Sequence, residues 1–241
     1  MNMADAGWVW EGQGLDPGVH PSIFGVGDGA EFFGVRRVHF LFHDTTPLAL
    51  RRLAHLDEVV PDISKWRFRD SENGGSECYC DGRPETVRAE AEKVSQFSLE
   101  FPNVTGGYYD DMKGLMTKFG HGAAECARIH DALRSENKNL KLHTVVYSHE
   151  LDPPGFWLPL LPYMDVVTFW VWGYERLATL AELLVDLIGR PIEGPPLLQV
   201  GVTIGVSIAE PATATGDVLV DRADAALLAA KSEAKGTVRF A

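Results

Sequence analysis

Tyr108-Tyr109-Asp110-Asp111-Met112 sets two adjacent carboxyl groups beside two phenols, at the close of a short β-like run that starts at Val104. Carboxyl groups at the C-terminal end of a strand stand where α/β-barrel enzymes keep their chemistry. A second run, Leu142 to Glu150, ends in Tyr147-Ser148-His149-Glu150, and a third, beginning at Val166, ends in Trp170-Val171-Trp172. Breaking a glycosidic bond calls for two carboxyl groups flanking it, one protonated and one ionised. Asp110 or Asp111 is the candidate for one role and Glu150 for the other, with Glu11 in reserve. Trp10, Trp66, Tyr108, Tyr147, His149, Trp170 and Trp172 are the candidate substrate-binding residues, since flat rings with a polar edge suit the faces of a sugar.

The same residues have plainer uses. An aspartate after a strand often caps the next helix, and indoles at alternating strand positions often fill a core. A metal-dependent hydrolase or isomerase would draw on His39, His43, Asp110 and His149. His39 and His43 are four apart on one strand, about 13 Å along it, too far to share an ion. No His-x-His strand motif or His-Glu-x-x-His helix occurs, and neither a metal nor an organic cofactor is expected. A third reading keeps the tryptophans in a non-catalytic, carbohydrate-binding protein. No Gly-x-Ser-x-Gly elbow is present, and Gly25-Val26-Gly27-Asp28-Gly29 lacks the lysine of a phosphate-binding loop.

These residues need elements to hold them. Arg36 to His43 alternates as a strand, with Val38, Phe40 and Phe42 on one face and His39 and His43 on the other. The chain then reads as a helix over 47–56 capped by Thr45 or Thr46, a strand over 58–66 and a loop over 69–83. A helix over 84–101 puts Val87, Ala91, Val94, Phe97 and Phe101 on one face. Strand 104–110, a loop, helix 123–136, strand 140–148, strand 165–172 and helix 175–188 follow. Strand 198–208, helix 217–234 and strand 237–240 end the chain. Strands alternating with helices imply parallel pairing. With a short apolar start at Trp8-Val9-Trp10 and a loop to about residue 30 ahead of these, the strands number eight, with helices between most of them, and over 241 residues they match a single (β/α)8 TIM-like barrel domain spanning 1–241.

Composition narrows the function classes. The net charge of −12 repels phosphate backbones and anionic lipid, so neither nucleic acid nor membrane is an expected partner. A small-molecule or oligosaccharide substrate is the expected partner. Three cysteines, Cys78, Cys80 and Cys126, are too few for a disulfide framework. With no basic and apolar leader at the N-terminus, they point to a cytoplasmic protein.

Two resemblances add to this reading. The Tyr-Asp-Asp and Trp-Val-Trp strand ends loosely resemble those of glycoside-hydrolase-type barrels, which implies a hydrolase acting through its carboxyl pair. The tail, Val202-Thr203-Ile204-Gly205-Val206-Ser207-Ile208 followed by Arg222-Ala223-Asp224-Ala225-Ala226-Leu227, resembles the end of a diguanylate cyclase (GGDEF) domain. That resemblance covers about 40 residues, maps the family's phosphate-contacting lysine to Lys231, and lacks the Gly-Gly-Asp-Glu-Phe turn. It implies an alternative division, a partial barrel over 1–195 with a cyclase-like tail over 196–241, and a degenerate cyclase relative as an alternative function.

Overall fold

The computed structural model describes residues 7–10, 24–70, 76–151, 154–171, 181–182, 185, 204–206, 216–233 and 237–240. The chain divides into two compact units, Gly7–Trp170 and Val171–Ala241 with Met1–Ala6. The first runs β1 (Val9–Trp10), α1 (Val26–Phe33), β2 (Arg37–Phe40), α2 (Pro47–Arg52), β3 (Glu58–Pro61), β4 (Trp66–Asp70) and β5 (Ser76–Cys80). It continues with α3 (Pro84–Glu100), β6 (Gly106–Tyr109), α4 (Met112–Phe119), α5 (Ala123–Leu133), β7 (Lys141–Tyr147) and β8 (Val166–Trp170). The second unit contains β9 (Ile204–Val206), α6 (Gly216–Glu233) and β10 (Val238–Phe240), with β9 and β10 paired in parallel.

Helix boundaries follow local chemistry. Thr46 caps α2 by accepting the Ala49 amide at 3.2 Å, and Pro47 fills the first turn, where its missing N–H costs nothing. Pro84 opens α3 in the same way. The buried face of α3, Val87, Ala91 and Val94, packs against α5, which contributes Cys126, Ile129 and Leu133. Two helices, α1 and α4, occupy segments whose glycine content and short length read as loop. Gly34 and Gly120 end them in the left-handed conformation that glycine adopts without strain.

The expectation of a closed eight-stranded TIM-like barrel is overturned. The parallel strands form two three-stranded sheets, β1-β2-β3 and β6-β7-β8, and none closes on itself. The single strand expected over 58–66 is instead β3 and then β4, which pairs antiparallel with β5 in a hairpin over part of the expected loop. Lys65, at φ 55°, turns the chain between them.

The two sheets meet edge to edge through isolated parallel bridges, Val59 to Val104 and Asp62 to Tyr108. Two features keep this joint from being a continuous ladder. The amides of Val59 and Ile63 donate towards the β6 side, to Asn103 O at 2.7 Å and Tyr108 O at 2.8 Å. The alternate position between them is Pro61, which has no N–H to give. The register also slips, because the step from Val59 to Asp62 on one side faces the longer step from Val104 to Tyr108 on the other. One extra residue on one strand is a β-bulge.

The six parallel strands nevertheless curl. Flat neighbours would stand about 4.8 Å apart, yet Trp8, ahead of β1, lies 5.6 Å from the ring of His143 on β7. Trp10 on β1 lies 5.1 Å from Trp170 on β8. The convex side carries the main core, with Val38, Phe40, Val59, Ile63, Tyr109, Leu142 and Val146 against the helices. The concave side holds a smaller cluster of Leu41, Val60, Tyr108 and Val145, ringed by Trp8, Trp10, Phe42, Tyr147 and Trp170.

Gly106 marks the tightest backbone approach on the concave side. A Cβ there would lie 2.3 Å from the carbonyl oxygen of Lys141 and 3.0 Å from the His143 ring. We expect Gly106→Ala to destabilise the protein by about 1–3 kcal/mol, because backbone rather than a flexible side chain would have to move. A urea midpoint equal to that of the parent would show that β6 and β7 do not approach as described.

Candidate active site

The concave side is floored by imidazole and indole. His39 is stacked on Trp8 at 4.5 Å and lies 4.4 Å from Tyr108 and 5.8 Å from His143. His143 is 2% exposed and neither ring nitrogen has a hydrogen-bond partner. Burial holds both imidazoles neutral: desolvation, then the neighbouring His143, pushes His39 down to about 3, and desolvation pushes His143 down to about 4.

Above this floor, at the C-terminal edge, two strands are followed by acidic residues. Asp62 follows β3 and is fully buried. Its Oδ1 accepts from the Ser64 amide at 2.6 Å and the Ser64 hydroxyl at 2.5 Å, while Oδ2 accepts no hydrogen bond. Asp110 and Asp111 follow β6. Desolvation, then the charges of Asp111 and Asp62, hold the Asp110 carboxyl well above the usual carboxylate range. Asp62 is likewise raised, by desolvation first, against the pull of Lys65 and the Ser64 hydrogen bonds.

Asp111 stands at the N-cap of α4 but makes no capping hydrogen bond. Its backbone is left-handed, φ 46° and ψ 37°, a conformation that strains a residue with a Cβ by roughly 1–2 kcal/mol. Its Oδ1 instead accepts from the Tyr147 hydroxyl at 2.5 Å. Desolvation and the Asp110 charge push the Tyr147 phenol upward, so Tyr147 remains a donor. Tyr108 is raised by the same two causes, and its hydroxyl is in a hydrogen bond with Thr168. Trp10, Phe42 and Trp170 stand along this edge, and His149 is stacked on Tyr147 at 5.6 Å.

Other expected site residues lie elsewhere. Glu150 is buried and caps its own turn: Oε2 accepts the Tyr147 amide at 3.1 Å, and its carbonyl accepts from Lys113 Nζ and Trp157 Nε1, each at 3.0 Å. Trp66 packs on the main core on the helix side. His43 stacks on Phe40, 5.7 Å away, and lines a cavity of about 580 Å³ with Val26, Arg52 and His55, so it too is on the helix side. The reason is Phe42, whose φ of 62° breaks the strand alternation and turns its own ring towards Trp10. Glu11 and Trp172 lie outside the described residues.

Asp62 and Ser64 are the functional candidates that the sequence reading missed. Their signal was a proline-aspartate step directly after Val59-Val60. Among the described residues, no group of three or more His, Cys, Asp or Glu side chains is arranged to hold a metal ion, and no helix is long and apolar enough to cross a membrane. Cys80 is no ready nucleophile, since burial and the nearby Asp62 push its thiol up to about 12.

No family model matches the chain, and no curated protein matches it significantly. The resemblance to glycoside-hydrolase-type barrels therefore falls with the closed barrel, and hydrolase and carbohydrate assignments have no support from likeness. The tail forms the strand–helix–strand unit described above, but no cyclase family match accompanies it.

The two buried histidines give a pH dependence of definite sign. Their folded pKa values lie below the ordinary 6.5, so the unfolded chain takes up protons first. Their contribution to stability is complete above pH 6.5 and is lost as pH falls towards 3–4. His143→Phe, which keeps a ring and removes one titration, should flatten the loss of melting temperature across that window. An unaltered slope would place the titration elsewhere.

Proposed function

We propose that the Gly7–Trp170 unit is an acid–base enzyme that works through Asp110 and Asp111 on a small polyhydroxylated substrate, an oligosaccharide being the type suited to its edge. The observation that carries this reading is Asp110 itself. It is a carboxyl group raised by burial and by two neighbouring carboxyl groups, at a strand end that retains some exposure. Perturbed groups of this kind concentrate where chemistry is done. Asp110 holds a proton and can deliver it to a leaving oxygen. Asp111, fixed by Tyr147, is the acceptor beside it. Trp10, Trp170, Phe42 and His149 supply flat faces at the same edge.

The reading divides the acidic residues by role. Asp110→Asn should lower turnover of a responsive chromogenic glycoside by roughly 10²–10⁴-fold, because the shape is kept and the proton is lost. The same variant should melt at a higher temperature near pH 7. A carboxyl whose folded pKa is raised stabilises below its unfolded pKa and loses that contribution as pH rises. Glu150→Gln should retain turnover, since its amide oxygen can still accept the Tyr147 N–H. Retained turnover in Asp110→Asn, with loss in Glu150→Gln, would reverse the assignment. Sugar binding without turnover of any glycoside in the parent protein would reduce the unit to a binding module.

A further inference from the structure

The acid–base reading makes no use of the cavity on the helix side of β2. Its volume is about 580 Å³, and sites for small molecules typically enclose roughly 300–1,000 Å³. Phe40 on β2, Val26 on α1, and Ala49 and Leu53 at α2 give it an apolar lining. Two backbone features shape it. Phe42, at φ 62°, breaks the alternation after β2 and brings His43 to this side, stacked on Phe40. Gly27 lets the first turn of α1 come close to the end of α2, where a Cβ would lie 3.1 Å from Leu53 Cδ2 and 3.6 Å from His55 Cε1.

Charge is divided between the walls. α1 contributes two carboxylates, Asp28 and Glu31, and the end of α2 contributes the Arg52 guanidinium, with His55 beyond it. Asp28 is committed, its Oδ2 accepting the Gly25 amide at 3.0 Å. Glu31 and Arg52 are exposed, and among the described residues neither side chain has a hydrogen bond or ion pair. Opposite charges that line one cavity without meeting give it a cation-binding end and an anion-binding end. A purely anionic ligand would meet the α1 carboxylates, and a purely cationic one would meet Arg52. A molecule carrying both charges complements both walls.

We propose that this cavity binds a small zwitterion of amino-acid or dipeptide type. Arg52 takes its carboxylate, which the planar guanidinium fork suits, and Glu31 takes its ammonium. Its apolar body lies on Phe40, Val26 and Leu53. The site is separate from Asp110 and does not depend on the acid–base reading. Phe40 belongs to the helix-side core, and Leu41, the next residue, to the concave cluster.

The test is an NMR shift titration of the ¹⁵N-labelled full chain with leucyl-leucine as the zwitterion. Leucyl-leucinamide lacks the carboxylate, and N-acetyl-leucyl-leucine lacks the ammonium. The parent should bind the zwitterion with a Kd of about 1 mM or tighter, with amide shifts centred on Val26, Gly27, Leu53 and His55. Each blocked form should bind roughly tenfold more weakly, a charge-assisted hydrogen bond being lost. Arg52→Gln should lower affinity for the zwitterion to that of the parent for the amide, and amidation should then cost nothing further. Glu31→Gln should do the same for N-acetylation. This matching of one residue to one charged group is what a merely apolar cleft would not give. Both residues are exposed, so the variants should keep the parent's melting temperature. No saturable shift, shifts centred elsewhere, or equal affinity for all three probes in parent and variants would overturn the proposal.

Discussion

The Gly7–Trp170 unit gathers carboxyl groups at one edge, with Asp62 fully buried and Asp110 held well above the usual carboxylate range, and much of the unit can be understood as what makes that tolerable. Like charges in a low-dielectric setting repel strongly, so the fold must neutralise, hold or hydrogen-bond them. Ser64 supplies two donors to one, and Tyr147 supplies a donor to the neighbouring Asp111. Lys65 brings a positive charge from the next turn. The floor beneath them is uncharged, because His39 and His143 are themselves too deeply buried to protonate near neutrality. The convex core of Val38, Val59, Leu142 and their neighbours supplies the rigidity that keeps these groups from relaxing apart.

Strain collects at the same edge. The three non-glycine residues with positive φ among the described residues are Phe42, Lys65 and Asp111, and each lies shortly after one of the strands β2, β3 and β6. Phe42 turns its ring to Trp10, Lys65 starts the β4–β5 hairpin, and Asp111 points its carboxylate to Tyr147 rather than to the helix it precedes. Unfavourable backbone conformations at strand ends persist where neighbouring structure over-determines them, and they cluster at functional sites.

Much of the scaffold was legible in the sequence because periodicity reports burial. The α3 face of Val87, Ala91 and Val94, the capping of α2 by Thr46, and the inward placing of His39 follow from local pattern. That the sheets stay open was not legible, because closure depends on edge pairing, and an alternation of strands and helices carries no record of it. The β4–β5 hairpin did leave a trace, a Gly74-Gly75 step between two alternating runs, that was outweighed by the charge and glycine content around it. Asp110 was singled out from its strand-end position. Its neighbour Asp62 was hidden, since it comes from a different strand and only the joint brings them together. Glu150 was singled out for the same reason, and a strand-end carboxyl and a capping carboxyl look alike until the Tyr147 amide is seen to donate to it.

The slipped register between Val104 and Tyr108 reaches beyond the break in the ladder. Side chains alternate along a strand, so a single inserted residue exchanges the two faces of everything after it. As folded, Tyr108 faces the concave side while Tyr109 faces the helices. Removing one residue from the 104–106 stretch would leave every acidic residue in the chain and still invert their placement. Tyr109 would turn onto the imidazole floor, and Asp110 would be driven towards the apolar core. Which aspartate stands at this edge is therefore a property of spacing, and a chain with the same acidic residues but one residue fewer at this point would not present Asp110 there.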